Sequence, residues 1–245
     1  ANFGLIYLTL GQTTEGVQLL APPRNVRGVC IIDGQLYQYA DHPANQGVYR
    51  VGTGLPTTGP QPLYGLPGIS GPGGVYQQIR GLFMADMDPN VPGKDTLWMA
   101  REAIGVTKFS LVGNTWTPIN TNFPGYSAIH LDGMVNPDGS VTLAIVAGNF
   151  EGNSIMVAND RSGYNQPMET SWEVLVQAGP YNRFAGLVFV VSPPPAAPLP
   201  VTLIDPRRVG ETFSVSFASE DGVIYTLQYK NALSDPAWSD GAVVT

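Results

Sequence analysis

The chain has 245 residues and a formal net charge of −7, and only 13% of its residues are charged. Binding to a phosphate backbone requires a basic surface, so this composition argues against nucleic acid as the main partner. No apolar run reaches the length of about 18 residues that a membrane-spanning helix needs, so the protein is not expected to be transmembrane. The 29 glycines and 22 prolines predict many short strands joined by tight turns.

The N-terminal residues predict two strands, at 4–10 and 17–20, because they are rich in Leu, Ile, Tyr and Val and are bounded by glycine. The next unit, at about 24–68, predicts four strands with a tight hairpin at Asp33-Gly34. These four strands lie at 26–32, 35–40, 47–51 and about 62–66. The apolar run around the single cysteine, Cys30, favours a buried thiol over a reactive one.

Two further units repeat the same order of four strands. The second unit predicts strands at 79–84, 95–100, 106–111 and 115–119. The third predicts strands at 129–135, 141–147, 154–158 and 172–176, and a fourth unit begins at 184–191. Each unit begins with a hydrophobic residue, a variable residue, a glycine and another hydrophobic residue. The four glycines are Gly28, Gly81, Gly133 and Gly186, at spacings of 53, 52 and 53 residues.

Four short strands in a repeat of about 50 residues are typical of β-propeller blades, so we predict an all-β protein with propeller blades over 1–191. Two arrangements remain open. Residues 4–20 and 184–191 would together form a three-stranded fourth blade that closes a small ring, or the units belong to a larger ring. The glycines are expected to allow close packing of the first strands around an axis.

A proline-rich segment at 192–200 predicts an extended linker. The remaining residues, 201–245, predict a small β-sandwich-like module in which strands at 212–217 and 224–229 pair through a hairpin. This module is shorter than an ordinary β-sandwich of about 100 residues and is therefore expected to be incomplete. Its open sheet edges would accept a strand from another chain, so self-assembly is a further expectation.

Several segments together resemble a known class of proteins. They are 25–28, 33–37, 47–58, 86–88, 93–97 and 184–187, and 52–58 is the most specific. They resemble large secreted bacterial β-propeller proteins of unassigned activity over roughly residues 4–191. Residues 212–238 are similar to small C-terminal β-sandwich modules of such proteins. Because members of the family are longer at both ends, the chain resembles the C-terminal part of one. The resemblance implies export and offers no catalytic residues.

The variable residue before each glycine is the first candidate ligand-binding position. Because side chains alternate along a strand, Arg27, Arg80 and Asp132 are expected to point the same way as Ala185. If these side chains point into a central channel, the two arginines would be suited to bind carboxylates, including those of acidic sugars. An Arg–Asp network that only fills the channel is the interpretation that the sequence alone favours.

A loop at 86–95 is the candidate metal site. Oxygen atoms of Asp86, Asp88, Asn90 and Asp95 are spaced so that they could converge on calcium, although the loop departs from the EF-hand pattern. The alternative is a hairpin tip whose aspartates cap turns. Three tyrosines before first strands, Tyr76, Tyr126 and Tyr181, are candidates for stacking on sugar rings at one rim, whereas the other aromatic residues are expected in the core.

No catalytic set is evident in the sequence, which lacks a Gly-x-Ser-x-Gly motif and a phosphate-binding loop. The leading hypothesis is a non-catalytic binding or structural module that is secreted or lies at the cell surface. Its expected partner is an extracellular glycan or protein. No cofactor is required, and calcium is the one candidate. The alternative is a polysaccharide-active enzyme, a hydrolase or a lyase, that uses Arg and Asp residues of the channel.

Overall fold

The computed structural model describes residues 4–21, 25–41, 43, 46–71, 76, 78–149, 152–179, 182–190, 202–219, 224–232 and 234–244. These residues form strands, turns and irregular segments, and they contain no helix. The all-β prediction is therefore confirmed. Within these ranges, no helix exists that is long and apolar enough to cross a membrane.

The chain divides into two compact units, Ala1–Phe189 and Val190–Thr245. The first unit contains an N-terminal hairpin, formed by β1 (Leu5–Tyr7) and β2 (Val17–Leu20), and three four-stranded sheets. The first sheet consists of β3 (Val26–Ile32), β4 (Gln35–Ala40), β5 (Gly47–Val51) and β6 (Leu63–Gly65). The second consists of β7 (Ile79–Ala85), β8 (Thr96–Arg101), β9 (Gly105–Val112) and β10 (Thr115–Asn122). The third consists of β11 (Ala128–Val135), β12 (Val141–Asn149), β13 (Gly152–Asp160) and β14 (Glu173–Gln177).

Each of these sheets is an antiparallel meander, with its four strands paired in chain order. Neighbouring sheets pack against each other through shared apolar clusters. Between the first and second sheets, Tyr39 and Val48 pack with Leu82 and Phe109. Between the second and third, Trp98 packs with the side chains of β12. Complete burial of one such side chain contributes about 1.5–3 kcal/mol, so these clusters hold the sheets together.

The first strands of the sheets, β3, β7 and β11, lie side by side along one edge of the stack. Gly81 is at a close approach between two of them. A Cβ atom on Gly81 would lie 2.6 Å from the backbone nitrogen of Leu131, and one on Gly133 would overlap the ring of Phe83. The expectation that these glycines allow close packing of first strands is therefore confirmed at both positions.

A β-bulge interrupts each first strand near its beginning. The pairing between β3 and β4 skips Arg27, and the pairing between β7 and β8 skips Arg80. In β11 the skipped residue is Ile129. A bulge turns the extra residue away from the regular alternation of the strand. These three residues therefore occupy equivalent places in the three sheets.

The fourth unit is predicted to begin with a strand at 184–191, but the described residues 182–190 contain no strand. Their backbone instead bonds to side chains of the third sheet, as described below. No closed barrel or propeller is formed by the described residues. The propeller therefore remains a prediction.

The second unit contains two hairpins among its described residues. In one, β15 (Ile204–Val209) pairs with β16 (Thr212–Ser216), and in the other, β17 (Tyr225–Tyr229) pairs with β18 (Ser239–Val244). The predicted pairing of strands 212–217 and 224–229 is wrong, because each pairs with a different neighbour. No apolar side chain in the described part of this unit is fully buried. The predicted linker at 192–200 lies outside the described residues.

Candidate functional site

The bulges of the first strands border a pocket of about 330 Å³. Its lining combines residues from all three sheets with the segment that follows the third sheet. The lining residues are Arg27, Arg80, Glu102, Ile129, Arg183, Phe184 and Ala185. We refer to this site as the arginine pocket. Four residues precede the repeated glycines, and three of them, Arg27, Arg80 and Ala185, line the pocket.

The backbone beside each bulge is built in the same way. The backbone N–H of Asp41 donates to the carbonyl oxygen of Asn25 at 3.1 Å. The backbone N–H of Glu102 likewise donates to the carbonyl oxygen of Gln78 at 2.9 Å. In the third sheet the corresponding bond joins Gly148 to a carbonyl two residues before Ile129. In the first two sheets this bond links the residue after the second strand with the residue before the first strand, and in the third it starts from Gly148 near the end of β12. In the first two sheets the arginine and the acidic residue are thereby brought to one end of the sheet.

Two ion pairs result from this arrangement. Arg27 Nε donates to Asp41 Oδ2 at 2.7 Å, and Arg80 Nε donates to Glu102 Oε2 at the same distance. Asp41 also accepts the N–H of Gln78 at 2.8 Å, which joins the first sheet to the second. The arginine side chains are 35% and 22% exposed. They are therefore held in place on one side and open to solvent on the other.

Asp132 lies at a different position from the one that the glycine spacing predicts. Arg27 and Arg80 are 53 residues apart, but the next bulge follows Arg80 after 49 residues, at Ile129. Asp132 does not line the arginine pocket. Its carboxylate accepts the N–H of Gly133 and the N–H of Phe189, both at 2.8 Å. The prediction that it joins the two arginines is corrected accordingly.

The third sheet uses polar side chains to hold the segment 182–190. His130 Nε2 lies 3.0 Å from the carbonyl oxygen of Leu187. Asn153 bonds both backbone groups of Phe184, each at 2.8 Å. With the bond from Phe189 to Asp132, these contacts fix the segment and place Phe184 at the arginine pocket.

Comparisons with protein-family models, with curated proteins and with solved structures find no match to this chain. The function is therefore argued from the site.

The two predicted rim tyrosines that the structure describes, Tyr76 and Tyr126, have different surroundings. The ring of Tyr76 packs edge-on against Phe109 at 5.0 Å, and the guanidinium of Arg101 lies 5.1 Å from its centre. Burial raises the pKa of Tyr76, which is consistent with a place at the edge of the core. Tyr126 is 59% exposed, and Tyr181 lies outside the described residues. Of the three, Tyr126 alone is shown as an exposed ring.

In the loop proposed for calcium, carboxylate oxygen atoms accept hydrogen bonds from other residues of the same loop. The buried carboxylate of Asp95 accepts the N–H groups of Met87 and Asp88 and the hydroxyl of Thr96. Asp88 Oδ1 accepts both the backbone and side-chain N–H of Asn90. No bond from Asp86 joins this set, and no cluster of three or more His, Cys, Asp or Glu residues suited to a metal occurs in the described part of the chain. Calcium therefore has no support here.

The sequence interpretation missed four residues of the pocket: Glu102, Ile129, Arg183 and Phe184. Glu102 carried a usable signal, because it follows the second strand of its sheet directly, as Asp41 does.

Cys30 is largely buried, and desolvation together with the charge of Asp132 raises its pKa to about 12. Its thiol is therefore protonated at neutral pH and is a poor nucleophile, in agreement with the expectation of a buried thiol.

Proposed function

We propose that the protein is a secreted or cell-surface, non-catalytic binding module of the β-propeller type, with the arginine pocket as its ligand site. The proposed ligand is an extracellular glycan. The observation that carries this proposal is the convergence of Arg27, Arg80 and Ala185, three positions of one sequence repeat, on a single pocket. In repeat architectures, binding surfaces are commonly built from equivalent positions of successive repeats.

The propeller form is proposed because the three meanders stack with their first strands adjacent. The hairpin of β1 and β2 covers the first sheet through Leu19 and Leu20, and the segment 182–190 is bonded to the third sheet. These two segments are candidates for a completed fourth blade. The resemblance to secreted bacterial propeller proteins motivates the extracellular location, and self-assembly through the edges of the second unit remains a prediction.

Binding is favoured over glycoside hydrolysis by the chemistry of the pocket. Glycoside hydrolysis ordinarily requires two carboxyl groups on opposite sides of the scissile bond. Glu102 is the one carboxylate among the described lining residues, and it is paired with Arg80. Asp132, which the enzymatic alternative would use, has both oxygens bonded to backbone N–H groups. A module that holds a ligand needs no such pair.

A glycan array tests the proposal with the wild-type protein and the double variant Arg27→Ala/Arg80→Ala. We expect the wild type to bind a subset of extracellular polysaccharides and the double variant to lose that binding while it stays folded. Arg161→Ala is the matched control, since this arginine is 73% exposed and does not line the pocket. Absence of binding to any glycan, or binding that both arginine substitutions leave intact, would refute the proposal.

A further inference from the structure

We infer that the arginine pocket recognises the carboxylate of an acidic sugar, so that its ligand is a uronate-containing polysaccharide. This inference rests on the proposed function and specifies its ligand. It depends on three observations: open guanidinium donors, an excess of cationic side chains and an apolar wall.

The guanidinium groups have hydrogen-bond donors to spare. Arg27 uses only Nε within the described part of the chain, so neither of its terminal nitrogens has a protein acceptor there. Arg80 uses Nε and Nη2 on the same oxygen of Glu102, which leaves Nη1 without a described acceptor. A planar carboxylate accepts two parallel N–H bonds from such a fork. The pair with Asp41 fixes the fork of Arg27 in position before a ligand arrives.

Arginine is the most frequent residue in the lining of the pocket. Three arginines and one glutamate line it, and Asp41 is bonded to Arg27 beside it, whereas the chain as a whole has a net charge of −7. Arg183 provides the third guanidinium from the segment held by Asn153 and Asp132. In an acidic protein, a group of arginines favours the binding of an anionic group at this place over the rest of the surface.

The wall formed by Ile129, Phe184 and Ala185 favours a sugar as the carrier of the carboxylate. A pyranose ring has an apolar C–H face that packs against aromatic and aliphatic side chains, while its substituents bond to polar groups. The pocket volume of about 330 Å³ lies within the range of small-ligand sites. An acidic peptide would supply the charge but would leave this wall without a rigid apolar partner.

Glu102 competes with the ligand for Arg80. Because its carboxylate holds two nitrogens of that guanidinium, its replacement by Gln would free donors and remove a negative charge from the pocket. The variant Glu102→Gln should therefore bind a uronate more tightly than the wild type does. A purely structural ion pair would give the opposite result, since its loss would only loosen Arg80.

Titration calorimetry with oligogalacturonate and with the same oligomer after carboxyl reduction tests the inference. We expect binding of the acidic oligomer only, and weakening by about tenfold or more in Arg27→Ala and in Arg80→Ala, because each removes charge-assisted hydrogen bonds. Binding should decrease with added salt, since the contact is ionic and solvent-exposed. Glu102→Gln should increase the affinity, and Arg161→Ala should leave it unchanged.

The outcomes separate this inference from the proposed function. Equal binding of the reduced oligomer, lost in the arginine variants, would overturn the carboxylate assignment and leave a glycan-binding pocket. Binding of hexaglutamate as tight as that of oligogalacturonate would assign the pocket to acidic peptides and overturn the sugar. Failure of uronate oligomers to bind, while another glycan binds on the array, would likewise overturn the inference alone.

Discussion

Lys108 Nζ lies 2.9 Å from Asp160 Oδ2, and the two side chains are 0% and 1% exposed. The ammonium group also donates to Ser162 Oγ and to the carbonyl oxygen of Gly163, each at 2.7 Å. Trp98 Nε1 donates to the same carboxylate oxygen at 2.9 Å. This buried, fully bonded pair joins β9 of the second sheet to the end of β13 in the third.

Replacement of Lys108 by Met should destabilise the protein strongly. It leaves the buried carboxylate of Asp160 without its cationic partner, which typically costs about 3–5 kcal/mol. Urea denaturation measures the change in the free energy of unfolding. The exposed pair of Arg161 and Asp138, separated by 3.6 Å, provides the control, because removal of such a pair costs at most about 1 kcal/mol. Equal effects of Lys108→Met and Arg161→Ala would contradict the structural role of the buried pair.

The same pair predicts loss of stability in acid. Burial opposes the ionisation of Asp160, but hydrogen bonds from Ser162 and Lys108 outweigh it and hold the pKa below its ordinary value of 3.8. As the pH falls, Asp160 of the unfolded chain, with a pKa near 3.8, binds a proton before Asp160 of the folded protein does. The stabilisation by the folded carboxylate is therefore present above pH 3.8 and is lost as the pH falls through the pKa of the folded protein.

The acid effect is measured by comparing the wild type with Asp160→Asn, which cannot titrate at this position. The stability advantage of the wild type should be constant near neutrality and should shrink as the pH falls below the ordinary carboxyl range. An advantage that stays constant down to the lowest pH at which both proteins remain folded would contradict the assigned direction of the pKa shift.

The strands were predictable because their signal is local. Residues 26–32 and 35–40 form strands with the predicted bounds, and Asp33 and Gly34 between them have φ values of 48° and 72°. Positive φ at both turn residues is what a two-residue hairpin requires, and Asp-Gly supplies it. Alternating apolar residues and a turn signal were therefore sufficient for this part of the fold.

The position of Asp132 could not be predicted, because it depends on a bulge. The glycine repeat places Asp132 in line with Arg80, but pairing with β12 puts the extra residue at Ile129. A bulge is set by the partner strand and leaves no mark in the alternation of a single strand. The contribution of Arg183 and Phe184 was likewise unpredictable, since it depends on contacts with the distant residue Asn153.

Replacement of Gly81 by Ala should separate two first strands. The new Cβ would lie 2.6 Å from the backbone nitrogen of Leu131, and backbone cannot move aside as a flexible side chain can. Overpacking of this kind typically costs about 1–3 kcal/mol, which thermal or urea unfolding detects.

Gly186, the equivalent glycine of the fourth repeat unit, provides a matched control for this substitution. A Cβ atom there would meet His130 at 3.6 Å, an ordinary van der Waals distance. Gly186→Ala should therefore leave the free energy of unfolding nearly unchanged. Similar losses for both variants would show that the repeat glycines are needed for some reason other than space between β7 and β11.

Replacement of Asp132 by Ala should release the segment that carries Phe184 to the arginine pocket. The carboxylate accepts the N–H of Phe189, and a hydrogen bond to a charged group contributes about 1.5–3 kcal/mol, so exchange of this amide should become at least about tenfold faster. Hydrogen–deuterium exchange over 184–190 measures the effect.

Asp132→Asn should be intermediate, because its one amide oxygen replaces two carboxylate oxygens. Asp88→Ala, which removes a carboxylate bonded within its own loop, is the control. Unchanged exchange at Phe189 in Asp132→Ala would show that the segment is held without Asp132.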